Sequence, residues 1–278
     1  MGVLIAHGLD WRSVFWIAAS VLFMLLVLNL WLLKESPTQI GRPEPVASPL
    51  SLFGSRNTGS VPSSLRELLS PLFGSAAFWL VCVLSLGCTL VRETFNTWTP
   101  TYFTEVVGLS SGRAAKTSAL FPLFGGASVL LAGYLSDRLG QQGRASLIFY
   151  GLLFAAFALL ALGYVEPGGK ALWPISLVTL IAFLMIGPYS YLAGAIALDF
   201  GGKQGSATFS GIIDGIGYLG GVLAGDSIAR ISVAYGWKGA FLVLSGVTLI
   251  SCVAAAGFWF QQSRSAVIRP FHLSRAEE

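Results

Sequence analysis

Seven apolar stretches dominate this chain, each close to the ~20 residues a helix needs to cross the hydrocarbon core of a bilayer. They run over Val14–Leu33, Ala76–Trp98, Ser118–Leu135, Ser146–Val165, Trp173–Leu198, Ala207–Val233 and Ala240–Phe260. In lipid no water reaches the backbone, so each stretch must close its own hydrogen bonds, and the helix does this. Only 11% of the 278 residues are charged, against 54% hydrophobic. A soluble domain carries about 25% charged residues, so this chain lacks the charge to clothe a core of its size. The expected fold is all-α, a polytopic membrane bundle of about seven transmembrane helices. Its first partner is the lipid bilayer. The net charge of +4 is spread over loops and does not point to nucleic acid.

The longest polar stretch, Lys34 to Ser70, is rich in Pro, Ser and Gly. It predicts a flexible linker ending in a short amphipathic piece through Leu65, Leu68, Leu69 and Leu72. The chain then divides into 1–34 with one span, a linker over 35–72, six spans over 73–262, and a tail over 263–278. Ten Lys and Arg residues lie on the linker side of the spans and six on the opposite side. Basic residues favour the cytoplasmic face, which puts the linker and the C-terminus inside, in a plasma membrane or a bacterial inner membrane. The first span is too long for a signal-peptide core and lacks a basic segment before it.

Two helix-start segments resemble each other. DWRSVFWI, from Asp10 to Ile17, precedes the first span, and GWKGAFLV, from Gly236 to Val243, precedes the last. Each has Trp, a base, then an aromatic residue, a full span and a polar exit. Two apolar segments can match by chance. Read as an internal repeat, however, the pair predicts duplicated bundles, with the first helix closing one bundle and the last closing the other. The rest of the first bundle, the N-terminal half of a transporter, is then expected to lie outside this sequence.

GYLSDRLGQQGR, from Gly133 to Arg144, resembles the G-x-x-x-D-R-x-G signature of the major facilitator superfamily. That superfamily builds its carriers from two six-helix halves. The resemblance extends over essentially the whole chain, as the last helix of the first half, the central loop and the second half. LVRETFNTWTPTYFTEVVGLS (Leu90 to Ser110) and ALDFGGKQGSATFSGIIDGIGYLGG (Ala197 to Gly221) are similar to segments of the organophosphate:phosphate antiporters, the glycerol-phosphate and hexose-phosphate carriers. In the glycerol-phosphate carriers, an arginine at the position of Arg92 binds substrate phosphate together with an arginine from the first helix of the fold. The second arginine has no counterpart here.

Several intramembrane residues are candidates for binding. Arg92 lies past the middle of its span, where a charge costs about 2.5–3.5 kcal/mol on insertion scales. Its fork of donors suits phosphate oxygens, although a snorkelling or structurally paired arginine also fits. Glu93 is adjacent, and neighbours in sequence do not share a helix face. It suits a coupling proton, a cation on another helix, or the outer vestibule. Asn96 follows Arg92 by one turn, and Pro100 is expected to end or bend the span. Asp214 and Tyr218, four apart, share a face. Tyr218 matches a cavity tyrosine of the glycerol-phosphate carriers, whereas Asp214 departs from them and is more like the eukaryotic sugar-phosphate exchangers. Tyr189 and Tyr191 follow an expected break at Gly187-Pro188. Gly211, Gly215, Gly217, Gly221 and Gly225 form small-residue stripes suited to close helix packing.

The signature loop (Gly133, Asp137, Arg138, Gly140, Arg144) is expected at the cytoplasmic mouth, holding the inner gate through ion pairs or a helix N-terminus. Cys82, Cys88 and Cys252 fall in apolar runs without metal-ligand spacing and are expected in the core. His7 and His272 lie outside the spans. No catalytic residue, metal or cofactor is expected. The leading functional expectation is alternating-access exchange of a phosphorylated organic anion for phosphate. The alternatives are a non-transporting membrane sensor of the same fold and a proton-coupled carrier of another organic anion using Glu93 or Asp214.

Overall fold

The computed structural model describes residues 10–34, 37–43, 48, 50–53 and 64–273; these contain helices and turns but no strand. The chain divides into two compact units, Met1–Ala47 and Ser48–Glu278. In the first unit, α1 (Trp11–Leu32) carries apolar side chains on every face, and only 6% of its apolar window is buried. Such a surface requires lipid or protein around it. A 3-10 turn lies beyond it at Pro37–Ile40.

The second unit contains α2 (Leu65–Phe73), α3 (Ala76–Glu105), α4 (Ser111–Ser118), α5 (Leu120–Gly163), α6 (Leu172–Ala193) and α7 (Ala195–Leu273). Among the described residues, five helical runs are long and apolar enough to cross a membrane, the last being Leu172–Arg264 with 93 residues. At 1.5 Å per residue that run far exceeds the ~30 Å hydrocarbon core, so it must fold back. It does so through non-helical residues at Gly202 and Gly236, while Gly194 interrupts the first limb without reversing it; three limbs of membrane length result. With α1, α3 and the two limbs of α5 on either side of Gly140, seven such limbs result. Gly140 (φ 65°) and Gly236 (φ 69°) occupy the left-handed region, where a side chain is disfavoured. Each lets one helical limb end and another resume within a residue. The two repeat segments sit at equivalent places: helix begins at Trp11 after Asp10 and resumes at Trp237 after Gly236.

The linker differs in part from its expected flexibility. Leu50, Leu52 and Phe53 pack on the bundle core, and the Leu52 amide donates to the Phe200 carbonyl at 2.9 Å. The amphipathic piece is helical. Ser64 caps α2 by accepting from the Glu67 amide at 3.2 Å, an arrangement favoured by the S-x-x-E spacing, and Leu72 is fully buried. Residues 54–63, within the expected linker, lie outside the described residues, as does His7. At the other end, the expected tail begins as helix, with α7 running to Leu273.

Neither proline breaks its helix. α3 passes through Pro100 to Glu105, and α6 passes through Pro188 to Ala193. Near Pro188, the Ser128 hydroxyl of α5 donates to the Phe183 carbonyl and accepts from the Gly187 amide at 3.1 Å. It thus spans an i, i+4 pair of the α6 ladder. A hydroxyl inserted there satisfies both groups from a neighbouring helix, which is how membrane helices tolerate such sites.

The central contact joins α3 to the limb of α7 after Gly202, and of the glycines singled out by spacing it uses Gly217 and Gly221 but not Gly211, Gly215 or Gly225. Ser85 Oγ donates to the Ile213 carbonyl at 3.0 Å, and Trp98 Nε1 donates to the Ala224 carbonyl at 2.9 Å. Between them a Cβ on Gly217 would fall 2.5 Å from Ser85 Oγ, and one on Gly220 would collide with the Leu86 carbonyl, whereas Gly211, Gly215 and Gly225 have open space. The packed face is therefore Ile213, Gly217, Gly220 and Ala224. Gly220→Ala is expected to cost about 1–3 kcal/mol through overpacking and to lower the melting midpoint in detergent. Gly225→Ala should leave it unchanged. Equal midpoints for the two variants would contradict this contact.

Candidate anion site

α3, α6 and α7 bring three side chains of opposite chemistry to one place. The Arg92 guanidinium lies over the Tyr189 ring of α6, with 4.9 Å to its centroid, and 6.0 Å from the Tyr218 centroid of α7. Aromatic faces attract a guanidinium, more strongly when it is shielded from water. Tyr189 is itself held by α3, its hydroxyl 3.1 Å from Thr89 Oγ1, one turn before Arg92. The aromatic pair thus positions the cation from two helices while leaving donor edges of the fork available.

Glu93 joins this group although it is adjacent in sequence. Its Oε1 lies 2.8 Å from Arg92 Nη2, the two side chains being 26% and 23% exposed. Long side chains can bridge the angle between neighbouring positions, and here the α7 backbone leaves Glu93 room: its Cγ faces Gly221. Arg92 Nε is buried and meets no acceptor among the described residues. Buried donors are nearly always paired, so a guanidinium with an unused donor, two rings and one carboxylate is an incompletely satisfied cation suited to an oxyanion.

Tyr218 is 58% exposed, Asn96 is exposed and Asp214 half-buried. Arg92, Glu93, Tyr189 and Tyr218 form the cluster, and Asp214 lies one turn before Tyr218 on α7. Among the described residues no hydrogen bond or ion pair joins Asn96 to the cluster; it continues the exposed side of α3. Tyr191 is elsewhere: it is 3% exposed, and its hydroxyl donates to the Ala132 carbonyl of α5 at 2.5 Å. That bond makes it a core residue and removes it from the cavity candidates.

The signature loop is divided between two environments. Gly133, Asp137, Arg138 and Gly140 are exposed, and the Arg138 guanidinium stacks on Tyr134 of its own helix at 4.7 Å. Arg144 turns inward, bonding Ser136 Oγ at 2.6 Å and Asp199 Oδ2 at 2.5 Å. Asp199, at the end of α7's first limb, was invisible to spacing because it lies 55 residues from Arg144. Its signal was only that an acid stands at the close of an apolar run. Cys82, Cys88 and Cys252 are buried free thiols.

This helical architecture and signature belong with a known class of membrane protein. The profile of the Major Facilitator Superfamily matches residues 1–225, and the chain belongs to that superfamily. It is 26% identical over 260 residues to the glycerol-3-phosphate transporter of Bacillus subtilis, a match covering 92% of this chain and 58% of that protein. It is 26% identical over 257 residues to the membrane sensor protein UhpC of Escherichia coli, covering 89% and 56% respectively. A glucose-6-phosphate exchanger of Xenopus laevis is 30% identical over 187 residues, 65% of this chain and 37% of that protein. The chain spans about half the length of these curated relatives.

Proposed function

We propose that this chain contributes one wall of the substrate site of a secondary transporter, which exchanges a phosphorylated metabolite for inorganic phosphate by alternating access. The observation that carries this reading is Arg92: a half-buried membrane arginine, cradled by Tyr189 and Tyr218, with one donor unused. Relatives named for glycerol 3-phosphate and glucose 6-phosphate supply the substrate class. Asn96 and Asp214 extend the site on α3 and α7.

The wall is one-sided. Tyr218 and Asn96 are exposed, so a second bundle, the N-terminal half of the fold, completes the cavity and provides further phosphate donors. Residues 1–34 act as the last helix of that bundle, 35–72 as the central loop, 73–262 as the six-helix second bundle and 263–278 as the tail. The linker and C-terminus face the cytoplasm, where Asp137 and Arg138 meet the opposite bundle at the inner gate while the Arg144–Asp199 pair holds the loop's shape. The protein works as a carrier, without catalytic groups.

Counterflow in proteoliposomes tests the reading. This chain, assembled with the completing bundle and loaded with phosphate, should take up labelled glycerol or hexose phosphate saturably. The 278-residue chain alone should not. Exchange by the chain alone would refute the one-sided site. The similarity to a membrane sensor favours one second reading: a protein that binds the sugar phosphate without moving it. Saturable binding by the assembled protein without counterflow would select it.

A further inference from the structure

An anion entering this site meets an Arg92 already engaged by Glu93. We propose that Glu93 is an internal counter-anion, occupying Arg92 while the site is empty and taking up a proton when an anionic substrate displaces it. This rests on the reading of Arg92 as the anion-binding group.

Three observations converge on it. Glu93 Oε1 sits 2.8 Å from Arg92 Nη2, where a substrate oxygen would bind. Glu93 Cγ faces Gly221 of α7, and even a Cβ on that glycine would come within 3.4 Å of it, so the carboxylate is held between two helices. Arg92 Nε remains without an acceptor, so one carboxylate leaves the fork partly unused, whereas a tetrahedral oxyanion presents more oxygens to it.

The surrounding charges set the fate of the displaced carboxylate. On α3 it faces Arg92 and from α7 it meets Gly221, while Tyr189 of α6 and Tyr218 of α7 lie against the same guanidinium. A tyrosine carries no positive charge in either of its protonation states. Arg92 is thus the cation available among these groups. When a phosphate takes its place on Arg92, the displaced carboxylate lies beside a second anion. Like charges at that range disfavour joint ionisation. A proton from water then joins the Glu93 carboxylate to give the neutral acid, and no other bond changes. Anion binding and proton uptake become one event, and release reverses both.

The test is equilibrium binding of inorganic phosphate to the 278-residue chain in lipid nanodiscs, between about pH 5.5 and 8.5. Phosphate ionises in this range, equally for every variant, so differences between variants isolate the protein group. Wild-type affinity should fall with rising pH more steeply than that of Glu93→Gln, by up to about tenfold per unit. Glu93→Gln should bind at least about tenfold tighter than wild type at the alkaline end. Weaker binding by Glu93→Gln, or a wild-type slope in that variant, would overturn the proposal. Should the Gln variant fail to fold, Glu93→Asp carries the test. Its shorter carboxylate withdraws from Arg92, so alkaline affinity should rise, and unchanged affinity overturns the proposal. If Arg92→Lys binds phosphate as wild type does, the anion-site reading itself fails. If that variant is impaired but Glu93→Gln matches wild type, only the counter-anion fails.

Discussion

Arg92→Lys is expected to lower phosphate exchange by the assembled carrier about a hundredfold while leaving its folding intact. The positive charge survives, so the stacking environment of Tyr189 and Tyr218 still holds a cation. What disappears is the planar fork. Lys offers a compact ammonium that cannot make paired parallel bonds to two oxygens. A charge-assisted hydrogen bond contributes about 1.5–3 kcal/mol, and each ~1.4 kcal/mol is a factor of ten. The loss should fall on both binding and transport, measured as phosphate counterflow and as half-saturation of uptake. Normal exchange by this variant would remove Arg92 from the site.

The second large effect concerns stability. Arg144→Ala should destabilise the bundle by about 3 kcal/mol, because it removes the guanidinium bonded to the Asp199 carboxylate in a site where both partners are mostly buried. The low end of the range for broken buried pairs applies, since the side chains keep 17% and 14% exposure. Removing Arg144 also leaves the buried Ser136 hydroxyl without its donor. Arg138→Ala is the control: its guanidinium is exposed and rests on the exposed Tyr134 ring, so its loss should fall within about 0.5 kcal/mol. Unfolding midpoints in detergent compare the two. Equal midpoints would mean that the inward pair carries no net stability.

The membrane spans were legible because lipid permits so few backbone solutions. Once seven apolar stretches are seen, helix is dictated by hydrogen bonding alone. Helix interruptions were less legible. Pro100 and Pro188 suggested breaks by their local chemistry, but a neighbouring helix can bond the backbone beside a proline, as Ser128 does at Phe183 and Gly187. The real reversals fall at Gly202 and Gly236. Glycine spacing picked out Gly217 and Gly221 but missed Gly220, since which face of α7 meets α3 is a tertiary fact. Ile213, Gly217, Gly220 and Ala224 define it.

The cluster around Arg92 shows the same divide. Position in an apolar run was enough to single out Arg92, Glu93 and Asp214, because charge in hydrocarbon demands a reason. That Tyr189 and Tyr218 flank Arg92 from two other helices could not be read from spacing within any one of them, and Tyr218 was suggested by family resemblance. The pairing of Arg92 with Glu93 went unseen because adjacency implies side chains on different faces. That rule describes where Cβ atoms point and not how far a guanidinium and a carboxylate can reach. Asp199 escaped for a simpler reason: its partner Arg144 is remote in the chain.

The most direct test of the central claim is a structure of the assembled protein determined with bound glycerol or hexose phosphate. The account predicts the phosphoryl group against the Arg92 guanidinium, within hydrogen-bonding distance of Nε or Nη, beside Tyr189 and Tyr218, with the Glu93 carboxylate displaced. A phosphate bound elsewhere, with Arg92 still paired to Glu93 as it is here, would contradict it.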